Sequence, residues 1–96
     1  MNVIVKFEVA QATLPPGTTV GELSVWLEDA IGVKVATQTA VDNGATFNDV
    51  APGDYKAKAA RLDAAGAVLG IAVEAAFNVP APVLADVPAS ITVTLA

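Results

Sequence analysis

Apolar residues recur at every second position along much of this chain. No other feature of the sequence limits the possible folds as strongly as this period of two residues. The pattern occupies four runs, at residues 3–9, 23–27, 55–59 and 71–79. Successive side chains of a strand point to opposite faces of a sheet, whereas a helix buries residues three and four positions apart. The pattern therefore predicts strands with one buried face. The alanine-rich stretch 57–67 is open to a helix by propensity, but the alternation of Lys56 and Lys58 favours a strand.

Turn sequences separate the runs. They are Asp29-Ala30-Ile31-Gly32, Asp42-Asn43-Gly44 and Asp63-Ala64-Ala65-Gly66. Asp, Asn and Gly tolerate the backbone conformations that tight hairpins need, and Asn-Gly is the strongest such signal. The first turn leads into a further expected strand, in which Val33, Val35 and Val41 share one phase.

The length of 96 residues allows one domain of ordinary size. We expect a single β-sandwich domain over 1–96, because short strands separated by frequent turns are typical of that architecture. A proline-rich connector at 78–90 leads to a final strand at 91–95. Two alternatives stay open for that strand: it returns to the edge of its own sheet, or it pairs with a neighbouring subunit by strand addition or swapping.

Missing residue types exclude several kinds of catalytic and metal site. The chain has no histidine and no cysteine, which removes Ser-His and Cys-His nucleophiles and zinc sites built on imidazole or thiolate. Its two serines, Ser24 and Ser90, lie outside any Gly-x-Ser-x-Gly motif. We therefore expect no catalytic residue, no cofactor and no enzyme activity.

Four acids in expected loops are candidate calcium ligands: Asp42, Asp49, Asp54 and Asp63. Calcium needs clustered oxygen ligands, and loops at one end of a sandwich can supply them. Asp is also favoured in turns because its side chain binds nearby backbone N–H groups. Turn formation is the simpler interpretation, and we expect no metal site.

The charge balance limits the partners of this chain. Ten acids against five bases give a net charge of −5, which would repel phosphate backbones and predicts no nucleic-acid binding. The apolar runs are shorter than the ~18 residues of a membrane span, so we expect no membrane insertion. Lys6 and Glu8 are charged at positions where a signal peptide has an apolar segment, so the sequence does not predict a signal peptide here. We expect synthesis in a cytoplasm, with an extracellular location as the alternative.

The segment Val50-Ala51-Pro52-Gly53-Asp54-Tyr55 resembles the corner between strands E and F of immunoglobulin-like and fibronectin type III domains. In those domains a corner tyrosine bonds back to the backbone a few residues upstream. The resemblance implies that role for Tyr55, and an immunoglobulin-like antiparallel β-sandwich of about seven strands. Leu62-Asp63-Ala64-Ala65-Gly66 is similar to the hairpin between strands F and G. Prealbumin-like and carboxypeptidase-regulatory-like sandwiches share the Pro-Gly-x-Tyr sequence and remain alternatives.

Four residues are candidates for contact with another protein. Trp26 falls in phase with Ser24 and Glu28, so alternation points it away from the core. An outward tryptophan either packs under its own domain or serves an interface, where tryptophan is enriched. The other candidates are in the final strand: Ile91, Val93 and Leu95.

Single sandwiches of this kind resemble the small proteins that decorate bacteriophage capsids and tails. The resemblance implies a non-enzymatic structural protein of a virion, which binds a capsid or tail lattice or copies of itself through protein–protein contacts. The alternative is a spacer or ligand-binding module of a secreted bacterial adhesin or polysaccharide-degrading enzyme.

Overall fold

The computed structural model describes residues 1–95, and within that range it contains strands and turns but no helix. The strands are β1 (Val3–Lys6), β2 (Val20–Asp29), β3 (Lys34–Thr39), β4 (Gly44–Phe47), β5 (Gly53–Asp63) and β6 (Val68–Val79). The all-β prediction is confirmed, and most of the alanine-rich stretch lies in β5 and the turn that follows it. Among the described residues no helix exists that could cross a membrane.

The strands form two antiparallel sheets. The larger has the order β3-β2-β5-β6, and the smaller pairs β1 with β4. The long strands β2 and β5 lie at the centre of the larger sheet and pair from Val20–Asp63 to Asp29–Tyr55. Two hairpins, β2–β3 and β5–β6, extend this centre to both sides.

Aspartates close these two hairpins. The Asp29 carboxylate accepts hydrogen bonds from the backbone N–H groups of Ile31 and Val33, at 3.1 and 2.9 Å. The Asp63 carboxylate accepts from Ala65 and Ala67, both at 2.9 Å. Asp is favoured in such turns because its side chain satisfies backbone donors that the turn leaves free.

The Asp42-Asn43-Gly44 turn connects β3 to β4. The positive φ angles are those of Asp42 and Asn43, at 53° and 58°, as a type I′ hairpin requires. Gly44 already belongs to β4, and a Cβ atom there would lie 2.8 Å from the Val5 carbonyl oxygen. Gly44 is therefore required because β1 and β4 come close together at this position, and not because of the conformation of the turn.

The hydrophobic core lies between the two sheets. Its buried members are Val25, Leu27, Phe47, Ala57 and Ala59. Val3 and Val5 of β1, and Phe7 directly after it, pack against this cluster. The predicted inward phase of the central strands is correct, since Leu27 and Val25 are fully buried. Burial of such a side chain contributes roughly 1.5–3 kcal/mol to folding.

The phase of β3 differs from the prediction. Val33, Val35 and Val41 are at least half exposed, whereas Ala36 and Ala40 pack against the core. Ala36 lies opposite the buried Leu27, and a register shift follows between Leu27 and Glu28. Residues directly opposite each other on neighbouring strands lie on the same face of the sheet. The pairing with β2 therefore places the alanines of β3, rather than its valines, on the buried face.

The chain beyond β6 differs from the prediction as well. Asn78 and Val79 pair with Asp54 and Gly53 in β6, so the connector begins at Pro80 rather than at residue 78. Every residue from 80 to 95 is exposed and outside any strand, because a strand at 91–95 has no backbone partner in the described part of the chain. Six strands thus stand where about seven were predicted. Ala96, the last residue of the expected domain, lies outside the described residues.

Residues 80–95, which we call the C-terminal arm, also set the shape of the molecule. The radius of gyration is 21.1 Å and the principal extents are 90 × 26 × 22 Å. A compact domain of about 100 residues has a radius of gyration of about 13 Å. Sixteen extended residues span about 50 Å, so the arm accounts for the excess length.

Candidate interaction surface

Trp26 lies on the outer face of the larger sheet, as alternation predicted, and yet only 7% of its surface is exposed. Its indole N–H donates a hydrogen bond to the Glu28 carboxylate at 2.8 Å. The Lys34 ammonium lies 4.7 Å from the centre of its ring, within the range of a cation–π contact. Thr37 and Lys58 are directly opposite it on the neighbouring strands.

An ionic network covers this part of the outer face. The Lys58 ammonium lies 3.1 Å from a Glu28 carboxylate oxygen and 3.5 Å from Glu74. Lys56 lies 3.8 Å from Glu74. The hydrogen bond from Trp26, followed by the contact with Lys58, holds the pKa of Glu28 below its usual value. The hydrogen bond to Glu28 raises the pKa of Lys58.

These contacts show how Trp26 is buried within a single chain, and its role at an interface stays a prediction. The side chain packs within its own domain, with the Lys34 ammonium over its ring and the Glu28 carboxylate on its indole N–H. It therefore offers little free surface to another protein. Lys56 and Lys58 are likewise paired with acids of this chain.

Tyr55 stands at the corner where the chain enters β5. Its hydroxyl donates a hydrogen bond to the Ala51 carbonyl oxygen at 2.7 Å, which is the backbone contact that the resemblance implies for it. Its ring stacks on Phe77 of β6, with centroids 5.6 Å apart and planes 21° apart. Tyr55 thereby ties the loop before β5 to the edge strand β6.

The candidate calcium ligands lie in separate places. Asp42 belongs to the β3–β4 turn, where its φ is positive, and Asp63 closes the β5–β6 hairpin. Asp54 accepts a hydrogen bond from the Asn78 side chain at 2.8 Å. The Asp49 backbone N–H donates to the Asn2 side chain. Among residues 1–95 no group of three or more acids could hold a metal ion.

An apolar surface lies on the inner face of β6, where sequence patterning predicted burial. Ile71 and Val73 are 91% and 59% exposed. A groove of about 510 Å³ runs beside them, and its other walls include Leu69, residues 7–12 after β1, and Leu14. The smaller sheet has only two strands, and it covers only part of the four strands opposite. The alternation of apolar residues in β6 predicts which face of the strand is apolar, but it does not show how many strands the opposite sheet has. The exposure of Ile71 and Val73 was therefore not predicted.

The free edge of β1 borders this uncovered face. The Phe7 N–H donates to the Asn43 carbonyl at 3.0 Å, and bonded pairs alternate along an antiparallel ladder. Val3 and Val5 therefore bond to β4, while the backbone groups of Ile4 and Lys6 point to the other side. β4 contacts β3, so the free edge of β1 points toward β6.

The three apolar candidates in the C-terminal arm are all exposed: Ile91 at 90%, Val93 at 76% and Leu95 at 90%. Their neighbours Thr92 and Thr94 complete an alternation of apolar and polar residues. The arm also exposes Val83, Leu84 and Val87. The arm thus presents six apolar side chains that no other part of the described chain covers.

Comparison with known proteins found no matching family model, no matching curated protein and no matching solved structure.

Proposed function

We propose that this protein is a non-enzymatic structural module that assembles through protein–protein contacts, and that it decorates a viral particle. The capsid or tail of a bacteriophage is the setting that we favour. The observation that carries the proposal is the apolar C-terminal arm, whose candidate contact residues have no partner in the chain that the structure describes. An exposed apolar strand is costly for a free protein and useful for one that docks on others.

We also propose that the fold is an immunoglobulin-like sandwich that lacks edge strands. The order β3-β2-β5-β6 corresponds to strands C′, C, F and G, and the β1–β4 pair corresponds to B and E. On this assignment Tyr55 stands at the start of strand F, where the corner tyrosine belongs. Among the described residues, strand A, which pairs with strand B in those domains, has no counterpart.

The composition of the chain is compatible with the particle setting. A sandwich without disulfides suits assembly in a reducing cytoplasm, where bacteriophage particles are built. The acidic net charge of −5 also favours contact with protein over contact with the packaged nucleic acid.

Density-gradient sedimentation of the native source material tests the proposal, with mass spectrometry of each fraction for peptides of this chain. We expect the chain in the fractions that contain particles of megadalton size. Recovery only as free protein, or inside a longer secreted polypeptide, would overturn the particle setting. The second of these outcomes would support a spacer or ligand-binding module of an adhesin or polysaccharide-degrading enzyme.

A further inference from the structure

We infer that the segment Ile91–Leu95 of one copy forms the third strand of the β1–β4 sheet in a second copy. The inference rests on the proposed assembly role and names its partner and its surface. The acceptor is the free edge of β1 together with the uncovered inner face of β6. The donor is the C-terminal arm.

The acceptor has both parts that an added strand requires. The edge of β1 offers the backbone groups of Ile4 and Lys6, which β4 leaves unpaired. A strand placed there lies about 4.8 Å from β1 and about 10 Å above the opposite sheet. Its inward side chains would meet Ile71 and Val73, the exposed apolar residues of β6.

Other free edges lack such an apolar surface. β3, β4 and β6 also have free edges. A strand added to β3 or β6 would extend the larger sheet beyond the smaller one, and a strand added to β4 would lie beyond β3, the edge strand that β4 contacts. Its apolar side chains would then remain in water. Because burial of apolar surface drives association, the edge of β1 is the favoured site.

The donor matches this acceptor in length and pattern. Ile91–Leu95 spans five residues and β1 spans four. Ile91, Val93 and Leu95 share one face, and Thr92 and Thr94 share the other. These β-branched and apolar residues favour extended backbone. Addition would therefore bury one apolar face and leave the threonines in water.

The connector favours a second copy over the same chain as acceptor. Three prolines, Pro80, Pro82 and Pro88, stiffen an eleven-residue spacer that reaches roughly 34 Å as an extended polyproline segment. The 90 Å length of the molecule shows the arm directed away from the body. Each copy then has one donor and one acceptor, so copies join head to tail.

Engineered cysteines test the exchange, because the natural chain has none. One preparation carries Ile4→Cys on the β1 edge, and another carries Thr92→Cys or Thr94→Cys in the arm, to allow for register. After mixing and mild oxidation, we expect a disulfide-linked product of twice the 9.6 kDa chain mass. Opposed strand residues lie within the reach of a disulfide.

The matched control replaces Ile4→Cys with Ile31→Cys, in the exposed turn between β2 and β3. Mixed with the arm variants, it should give far less cross-linked product. Equal yield from both positions would overturn the inference, because random collision would then explain the cross-link. A disulfide that forms only within a single I4C/T92C chain would show closure onto its own sheet and would also overturn it.

A second measurement uses chain mass in solution. Sedimentation velocity over a concentration series should give multiples of 9.6 kDa for the natural chain, and the single chain mass for Val93→Asp. Thr92→Asp adds the same charge on the outward face and should retain the assembly. Unchanged Trp26 fluorescence would show that the body is folded in both variants. A natural chain that stays monomeric, or equal loss in both variants, would overturn the inference.

Failure of this inference and failure of the proposed function are distinguishable. If the protein is bound to particles but the specific cross-link does not form, strand exchange is overturned and the proposed structural role is kept. The specific cross-link without any particle would leave strand exchange intact and remove the particle setting.

Discussion

At the scale of single residues, the indole of Trp26 is held between opposite charges. Lys34 lies over its ring and Glu28 accepts its N–H. Glu28 also pairs with Lys58, so one carboxylate bridges the tryptophan and the neighbouring strand. These contacts explain how a residue on the outer face of a sheet can be almost fully buried.

The contacts of Glu28 with Trp26 and Lys58 predict that the free energy of unfolding depends on pH. The pKa of Glu28 is lowered by folding, so its contribution is present above the ordinary carboxyl range and is lost as pH falls through the lowered pKa. The pKa of Lys58 is raised, so its contribution is present below the ordinary lysine range and is lost as pH rises through the raised pKa. Stability should therefore be flat near neutrality and fall at both extremes.

Urea unfolding across pH, followed by Trp26 fluorescence, measures this dependence. Glu28→Gln should lower the midpoint at neutral pH and weaken the acid slope, because the amide does not titrate. Glu74→Gln is the matched control, since Glu74 pairs with Lys58 from a more exposed position, and its effect should be smaller. Identical acid slopes in the natural chain and the Glu28 variant would contradict the prediction.

The corner hydroxyl of Tyr55 gives a second prediction at this scale. Tyr55→Phe removes the 2.7 Å hydrogen bond to Ala51 and keeps the ring that stacks on Phe77. Ala51 is exposed, so water can replace the lost donor, and we expect a loss of about 1 kcal/mol in unfolding free energy. Tyr55→Ala should cost more because it also removes the stacked ring. Equal losses would show that the hydroxyl carries the whole effect.

At the scale of elements, β2 is the strand on which the fold depends. It pairs with β3 on one side and β5 on the other, and its Leu27 is fully buried between the sheets. Leu27→Ala should cost roughly 2–5 kcal/mol, since it leaves a cavity in a core otherwise rich in alanine. Val35→Ala, half exposed on β3, should cost no more than about 0.5 kcal/mol. Denaturant midpoints at constant slope compare the two, and similar losses would contradict the packing described.

The same elements show how far the sequence predicts the fold. Local signals placed the hairpin turns at Asp29, Asp42 and Asp63, because turn chemistry depends on neighbouring residues. They also gave the phase of β2 and β5, where apolar residues alternate strictly. The phase of β3 was predicted wrongly, because Ala36 is chosen by its partner Leu27 across the sheet. That pairing depends on the register of the β2–β3 hairpin, which shifts between Leu27 and Glu28 and which the alternation within β3 alone does not give.

The candidate site was predicted only in part, for a similar reason. Alternation identified Ile91, Val93 and Leu95 as one apolar face, and the prolines before them as a connector. Neither signal shows which surface receives that face. The acceptor depends on the number of strands in the smaller sheet, and on the exposure of Val73 that follows from it.

At the scale of the whole molecule, shape and assembly are coupled through the connector. A stiff spacer holds Ile91–Leu95 away from its own β1 edge, so the edge stays open for another copy. An eleven-residue flexible chain has a mean span of only about 17–20 Å, against roughly 34 Å for the polyproline form. Relaxing the spacer raises the effective concentration of the strand near its own edge.

Replacement of Pro80, Pro82 and Pro88 with glycine should therefore shift the molecule toward closure on itself. We expect a larger monomer fraction by sedimentation, and a monomer whose radius of gyration lies closer to the roughly 13 Å of a compact domain than to the 21.1 Å of the single chain with its arm extended. X-ray scattering measures that radius. Replacement of Pro15 and Pro16 with glycine, in the loop before β2, is the control and should leave the distribution of masses unchanged. If the connector variant keeps the assembly of the natural chain, then proline stiffness does not direct the strand outward, and another feature of the molecule must do so.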